Sequence, residues 1–329
     1  MLTRASSSPT PASLRRPGSR PAFRRKLLFE ALENRLMMSA DPLASLAADG
    51  LLRLNLTQDG DQVVVEQASV AADGGAILDV TRDGITERYG DALAGVRELL
   101  GEGLGGDDSF SFVGLSIAVR IDGGAGSDQL FGPAADAEWI VSGWNSGVVA
   151  GIEFSDIENL RGAAGNRDTF LMQASAGVTG VMDGGAGGFD SLVVDGAGYD
   201  SITSIAAGPD SGTLLLDATS LAYAGLEPIL VTDVPNVLVQ GTAGNDDLLL
   251  EEEDADTLRV RSTSGTLESV SFSKTGLVSV VIDGLADQAG GLTRSCRLPS
   301  NTTPPRCRPR RRCRRRRRPS ASPPPITSR

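Results

Sequence analysis

Short apolar runs separated by Gly/Asp turns dominate the chain from residue 43 onward. Such runs, rich in Val, Ile and Leu, are typical of β-strands, whereas amphipathic helices need apolar residues at three- and four-residue spacing. The pattern predicts strands at residues 62–66, 76–80, 115–121, 212–216, 237–240, 257–261 and 278–283. The middle of the chain is therefore predicted to be all-β.

An internal repeat of about 60 residues runs through this region. Asp108 corresponds to Asp168, Asp122 corresponds to Asp183, and a third copy begins at 276–284. Aromatic residues make up only 4% of the chain while glycine numbers 40, which argues against a broad core of large side chains. Narrow coils filled by aliphatic residues, with glycine at the corners, fit this composition. We therefore expect a parallel β-solenoid with β-roll-like repeats.

Charge divides the 329 residues into three regions. Residues 1–42 hold a basic, Ser/Pro-rich leader, predicted to be disordered, and a short amphipathic helix ending near Pro42. Residues 43–290 form the acidic Gly/Asp-rich repeat region; from 36 to 290 there are ten Lys/Arg against forty Asp/Glu, a balance of −30. Residues 291–329 contain thirteen Arg and no acid, and are predicted to be disordered. So acidic a middle region should repel nucleic acid and attract cations.

Histidine is absent from the chain, which removes the usual general base and the commonest zinc ligand. The three cysteines, Cys296, Cys307 and Cys313, all lie in the Arg-rich tail, so the repeat region has no disulfide or thiolate site. Carboxylate and carbonyl oxygens remain as metal ligands, and these suit calcium. No apolar run approaches the roughly 20 residues that span a bilayer.

The short helix contains a recognisable segment. Residues 32–41 read Leu-Glu-Asn-Arg-Leu-Met-Met-Ser-Ala-Asp and resemble the LEPR-XLL segment, Leu-Glu-Pro-Arg followed by an apolar triplet and often Ser-Ala-Asp. Asn34 replaces the proline of that family, and Met37 and Met38 replace leucines. The resemblance implies transport to the bacterial cell surface within a very large repetitive protein. The alternative is an amphipathic helix without that role.

A glycine-rich nonapeptide carries the calcium prediction. Residues 122–130, Asp-Gly-Gly-Ala-Gly-Ser-Asp-Gln-Leu, fit the Gly-Gly-x-Gly-x-Asp-x-apolar pattern and resemble the hemolysin-type repeats of calcium-binding β-rolls. Glycines allow the sharp turn that points carbonyl oxygens inward, and the aspartate adds a carboxylate. Calcium takes six to eight oxygens, so two stacked loops are normally required for one site.

Looser copies occur at 162–170, 183–192 and 241–248, the last resembling the Gly-Thr-x-Gly-Asn-Asp opening of hemolysin-type repeats, and a shorter one occurs at 105–110. The copies are not in tandem, unlike those of the family, so the stacking of loops does not follow from the sequence. The alternative is that they are Gly/Asp turns without metal. The predicted metal-site residues are Asp122, Gly124, Gly126, Asp128, Asp168, Gly185, Gly187, Asp190, Asn245 and Asp246.

Two tryptophans lie between the loops. Trp139 and Trp144, with Val148 and Phe154, are predicted to fill the core, since aromatic residues are scarce. A carbohydrate platform is the alternative.

The tail replaces an unfinished third repeat with Arg, Pro, Ser and Cys. This composition is typical of a GC-rich reading frame translated out of phase, so we interpret residues from about 291 as a frameshifted or truncated end. An Arg-rich arm for nucleic acid or membranes is the alternative.

The combined patterns predict a calcium-binding, secreted or cell-surface repeat protein, associated with the outer membrane, with a structural or adhesive role. It is expected to be a fragment of a larger protein and not an enzyme. Its expected partners are calcium ions and an extracellular polysaccharide or protein, without nucleic acid. The alternatives are a secreted β-helix enzyme acting on polysaccharides and a metal-free β-solenoid scaffold; no catalytic cluster favours the enzyme.

Overall fold

The computed structural model describes residues 41–244, 246–284 and the backbone of 294–297. These residues form 26 β-strands and no helix. In chain order the strands are β1 (Ala44–Leu46), β2 (Leu51–Leu54), β3 (Gln62–Val70), β4 (Ala76–Arg82), β5 (Ile85–Tyr89), β6 (Glu98–Glu102), β7 (Ser109–Val113), β8 (Ala118–Asp122), β9 (Gln129–Phe131), β10 (Ala137–Gly143), β11 (Ser146–Val149), β12 (Ile152–Ser155), β13 (Asn159–Arg161), β14 (Asp168–Met172), β15 (Val181–Asp183), β16 (Ser191–Asp195), β17 (Ser201–Ala206), β18 (Gly212–Leu216), β19 (Thr219–Ala224), β20 (Ile229–Thr232), β21 (Asn236–Gln240), β22 (Leu248–Glu252), β23 (Thr257–Ser262), β24 (Val270–Ser273), β25 (Ser279–Asp283) and β26 (Arg294–Arg297).

The strands belong to two sheets of 13 strands each. Sheet A has the order β1-β2-β6-β8-β12-β11-β10-β14-β16-β20-β24-β23-β22, and sheet B has the order β26-β25-β21-β17-β18-β19-β15-β13-β9-β7-β3-β4-β5. From β6 to β9 the chain alternates between the sheets, and neighbours from successive passages pair in parallel, as β6 does with β8 and β7 with β9. The prediction of an all-β region is confirmed.

Three-stranded antiparallel meanders interrupt the alternation. In sheet A, β10–β12 lies between two parallel neighbours, β8 on the β12 side and β14 on the β10 side. In sheet B, β17–β19 lies in the same way between β15 and β21. Two more meanders, β3–β5 and β22–β24, occupy sheet ends. The meanders lengthen the chain between successive loops without interrupting the sheets.

Alternating side chains fill the space between the sheets. Along β3, Val63 and Val65 are 2% and 0% exposed, whereas Val64 is 41% exposed. Burial of each such side chain contributes about 1.5–3 kcal/mol of transfer free energy, and successive passages repeat the pattern. The core is one cluster of mostly aliphatic side chains, with a few aromatic rings, running the length of both sheets.

The two tryptophans have different environments. Trp139 is fully buried and stacks on Phe170, its direct neighbour in the parallel pair β10–β14, with ring centroids 5.1 Å apart. Trp144 is 44% exposed because it lies at the hairpin turn between β10 and β11. The core-filling prediction is therefore confirmed for Trp139 and for the buried Phe154, and wrong for Trp144.

The predicted strands all occur, with differences in their bounds: β25 begins at Ser279 rather than at residue 278, and β3 runs on to Val70. The run predicted from residue 115 begins as a strand only at Ala118, because residues 114–117 form a bend before it. The leader and short helix, residues 1–40, lie outside the described residues, as do 298–329 of the tail. Residues 294–297, where disorder was predicted, form β26 because their backbone pairs with β25.

Candidate metal site at two stacks of glycine-rich loops

The first loop stack consists of loops 103–108 and 123–128, which both lead from sheet A to sheet B. Their register follows from the parallel pairs β6–β8 and β7–β9 on either side. The loops are joined by hydrogen bonds from Gly103 N to Asp122 O at 2.8 Å, Gly106 N to Ala125 O at 3.0 Å, Ala125 N to Leu104 O at 3.3 Å and Ser127 N to Asp107 Oδ1 at 2.9 Å. The loop with the full nonapeptide thus stacks on an imperfect copy.

The second loop stack consists of loops 162–168 and 184–190, which lead from sheet B back to sheet A. Its loops are joined by hydrogen bonds from Gly162 N to Asp183 O at 2.7 Å, Gly165 N to Ala186 O at 3.1 Å and Phe189 N to Asn166 O at 3.2 Å. Both stacks therefore bring together the pairs of loops that a calcium site of this kind requires, although the copies are not in tandem.

Aspartates link the loops within the first stack. Asp61 N donates to Asp108 Oδ1 at 2.7 Å, and Asp108 N donates to Asp128 Oδ1 at 2.7 Å. Asp128 N donates in turn to Glu158 Oε2 at 2.8 Å. Each carboxylate therefore accepts the backbone N–H of the preceding acidic residue in the series, which lies one passage of the chain around the two sheets earlier. We call this series of hydrogen bonds the aspartate ladder.

The second stack contains the same contact. Asp168 N donates to Asp190 Oδ1 at 2.7 Å, and Asp168 Oδ1 accepts the N–H of Ala137 at 2.9 Å. The ladder residues are 20 positions apart between Asp108 and Asp128 and 22 apart between Asp168 and Asp190. One passage around the two sheets therefore takes about a third of the 60-residue sequence repeat.

Three of the ladder carboxylates have one oxygen without a hydrogen-bond partner. The Oδ2 atoms of Asp108, Asp128 and Asp168 are buried and have no hydrogen-bond partner. The three side chains are at most 1% exposed. Burial of the charged form is expensive unless the charge is compensated, so each unpartnered oxygen calls for a proton or a cation.

Burial also shifts the acidity of these groups. It raises the pKa of Asp108 and of Asp128 to about 6, against the opposing effect of the ladder hydrogen bonds. Burial likewise raises the pKa of Asp168 and Asp190. Neighbouring carboxylates add to the shift within each stack, and a bound cation would reverse it.

Two glycines make room for the aspartate in the nonapeptide loop. A Cβ on Gly123 would lie 2.1 Å from the Asp156 carbonyl oxygen and 2.7 Å from Asp128 Oδ2. Gly124 has a φ of 85°, in the left-handed region, and a Cβ there would lie 2.9 Å from Leu104 N. The Asp128 carboxylate therefore folds back over the start of its own loop, where a side chain would exclude it.

The predicted metal-site residues fall into separate groups. Asp122, Gly124, Gly126 and Asp128 share the first stack, and Asp168, Gly185, Gly187 and Asp190 share the second. Asp122 lies at the end of β8 and is only partly buried. Asp246 caps its own loop by accepting Thr242 N at 2.6 Å, and no ladder contact joins it to either stack within the described residues. Asn245 lies outside the described residues.

The predicted metal-site residues omit three contributors, although the sequence placed Asp108 in a short copy of the loop at 105–110. Asp61 and Asp108 belong to the ladder, and Glu158 ends it. Asp61 follows a Gly and precedes an apolar run, which is the signal that could have found it. Glu158 has no glycine-rich loop, so only the pairing of β13 with β9 reveals its position beside Asp128.

The set of oxygen atoms that could bind a metal ion in these loops is limited. No three acidic side chains converge on one point within residues 41–244 and 246–284. The carbonyl oxygens of Leu104 and Ala125 already accept hydrogen bonds between loops. A calcium ion would thus be held by one or two carboxylates together with loop carbonyls that exchange these contacts, consistent with its preference for oxygen ligands.

A separate buried acid lies in the later part of the chain. Glu268 is fully buried and accepts a hydrogen bond from Tyr223 Oη, itself 2% exposed, while Glu268 Oε2 and the nearby buried Ser204 Oγ have no partner. Burial raises the pKa of Glu268 to about 7, and the nearby Glu227 adds to the shift. A neutral carboxyl fits this environment best.

Replacing Glu268 by glutamine should therefore stabilise the protein at alkaline pH. Because the folded-state pKa is raised, the favourable contribution of Glu268 is complete below the unfolded pKa and is lost as pH rises through about 7. At pH 8 the Glu268→Gln variant should be about 2 kcal/mol more stable than the wild type in urea unfolding. Glu66→Gln, an exposed position on β3, should change nothing. Equal destabilisation of Glu268→Gln at pH 6 and pH 8 would contradict a neutral carboxyl.

The fold and the loops together define an all-β protein of two long sheets whose glycine-rich connections stack and carry buried aspartates. No family profile, curated protein or solved structure matches the chain. Among the described residues, no helix is long and apolar enough to cross a membrane.

Proposed function

We propose that this chain is a calcium-binding β-solenoid protein of the bacterial cell surface or exterior, with a structural or adhesive role. The observation that carries the proposal is the set of buried, unpartnered Oδ2 atoms on Asp108, Asp128 and Asp168, each within a stacked pair of glycine-rich loops. Their oxygen-only environment suits calcium rather than a transition metal.

The electrostatic balance of the repeat region supports the same function. Residues 36–290 carry −30, so folding concentrates negative charge that bound cations would offset. Calcium that binds only the folded loops would stabilise the fold by mass action. A chain of this kind would become rigid on reaching a calcium-rich exterior, which suits a scaffold or an adhesin. The LEPR-XLL resemblance of residues 32–41 favours export to the surface.

Thermal unfolding with and without calcium tests the proposal. Calcium at a hundredfold excess over its Kd should add about 2.7 kcal/mol per site to the free energy of unfolding, and the melting temperature should rise with concentration. Magnesium at the same concentration serves as control, since its small octahedral shell fits such loops poorly. Identical melting curves in calcium and in EDTA would overturn the proposal.

A second candidate is a metal-free scaffold with the same fold. The aspartate ladder favours it, because each Oδ1 already accepts a backbone N–H and a protonated Oδ2 would need no cation. This candidate predicts no calcium response and full stability in EDTA at mildly acidic pH. An enzymatic role is not proposed, since no nucleophile and base lie together in these loops.

A further inference from the structure

A small cavity opens beside the second loop stack. Its volume is about 160 Å³, and it lies between loop 184–190, the β17–β18 turn and the segment before β20. Its lining includes Gly187, Gly188, Phe189, Asp190, Asp210 and Glu227. Loop 184–190, which is one residue longer than loop 123–128, supplies most of the lining. Pockets for drug-sized ligands reach roughly 300–1,000 Å³, so this cavity suits a single ring.

The aromatic ring of Phe189 forms one wall. Phe189 is 57% exposed, whereas the phenylalanines at 110, 112, 154, 170 and 272 are at most 4% exposed. The guanidinium carbon of Arg167 lies 5.7 Å from the ring centroid. An exposed ring that already attracts a cation offers an apolar face and a negative quadrupole to a ligand.

Two carboxylates form another part of the cavity wall. Asp210 and Glu227 are exposed, and neither joins an ion pair within the part of the chain that the structure describes. Backbone hydrogen bonds fix both residues, from Leu226 N to Asp210 O at 3.1 Å and from Glu227 N to Asp190 O at 2.7 Å. The backbone of this part of the wall is therefore held in place and its side chains are negative, which disfavours anionic ligands and favours ammonium and hydroxyl donors.

We propose that this cavity binds one amino-sugar unit of a polysaccharide. A pyranose ring has an apolar C–H face that fits against Phe189, together with hydroxyl donors around its edge. An ammonium substituent would lie between Asp210 and Glu227. Neutral sugars lack the charge that this wall selects, and uronic acids are repelled. The contacts assigned to Phe189, Asp210 and Glu227 use no ladder carboxylate, although Asp190 also lines the cavity, so the proposal does not rest on calcium binding.

Titration with a glucosamine tetrasaccharide in EDTA at pH 6, followed by calorimetry, tests the proposal. The wild type should bind, and Phe189→Ala should weaken the affinity about tenfold through loss of the stacking face. Val181→Ala, which truncates another exposed apolar side chain near the same loop, should bind as the wild type does. Asp210→Asn should weaken binding and reduce its salt dependence.

Two comparison ligands complete the experiment. A glucose tetrasaccharide should bind more weakly, and a galacturonate tetrasaccharide should not bind. No binding of the glucosamine ligand, an unchanged affinity in Phe189→Ala, or equal binding of the galacturonate ligand would each overturn the proposal. Because EDTA is present throughout, failure of the calcium response would leave these results unaffected, and the two proposals can fail separately.

Discussion

Replacing Asp128 by asparagine should stabilise the protein in EDTA and destabilise it, relative to the wild type, in saturating calcium. The amide oxygen can still accept the N–H of Asp108, so the ladder is retained. At pH 7.5 the variant avoids burying a charge whose pKa is raised to about 6, which should add about 2 kcal/mol to the free energy of unfolding. It loses the carboxylate that would bind calcium in the first stack, so the calcium-dependent gain should fall. Urea unfolding in both buffers measures this change of sign in the stability difference between the variant and the wild type.

Asp233→Asn is the matched control for this experiment. Asp233 is exposed at a corner with a φ of 53°, a conformation that asparagine tolerates, so the same loss of charge occurs outside the stacks. The free energy of unfolding of the Asp233→Asn variant should equal that of the wild type in both buffers. If Asp128→Asn is destabilised in EDTA, the Asp128 charge is favourable without metal and the calcium argument fails.

Acidification should stabilise the metal-free protein, against the usual direction of acid denaturation. The folded-state pKa of Asp108 and of Asp128 is about 6, above the ordinary value of about 3.8, so their contribution is complete near pH 4 and is lost as pH rises through 6. Between pH 7.5 and pH 5 these two carboxyls should add about 3 kcal/mol to the free energy of unfolding. Urea unfolding in EDTA across this range measures the slope of the free energy of unfolding against pH.

Two controls isolate this effect. The Glu268→Gln background removes a further buried acid, whose pKa is raised to about 7. The range stops at pH 5 because carboxylates with lowered pKa, such as Glu251 beside Arg259 and Arg261, lose their stabilising effect only near and below their ordinary values. Adding Asp108→Asn and Asp128→Asn to this background should flatten the slope. A free energy that falls steadily from pH 7.5 to pH 5 would contradict the raised pKa values.

The strands were the most predictable part of this protein. Runs such as 62–66 and 76–80 form β3 and β4, because alternating or continuous aliphatic residues between turns determine local structure. Burial was less predictable: Trp139 and Trp144 have the same side chain, yet strand register buries one and a hairpin turn exposes the other. Local sequence carries no information on which distant strand becomes the neighbour.

The candidate site, like the burial of side chains, was only partly predictable from the sequence. The nonapeptide at 122–130 located the first stack, but not the ladder, because Asp61 reaches Asp108 and Glu158 reaches Asp128 only through pairing between distant strands. The buried Glu268 was missed for a related reason. It lies in an ordinary polar loop, and only the packing of Tyr223 and Ser204 around it reveals its environment.

The two copies of the sequence repeat do not occupy equivalent places in the fold. Asp108 precedes a strand of sheet B, whereas its counterpart Asp168 begins a strand of sheet A, since the meander β10–β12 shifts the second copy by half a passage. The unit that the sequence repeats is thus different from the unit that the backbone stacks. A further copy with the same offset would place its glycine-rich loops on the opposite margin from those of the copy before it, so a longer chain of this kind would carry such loops on alternate sides.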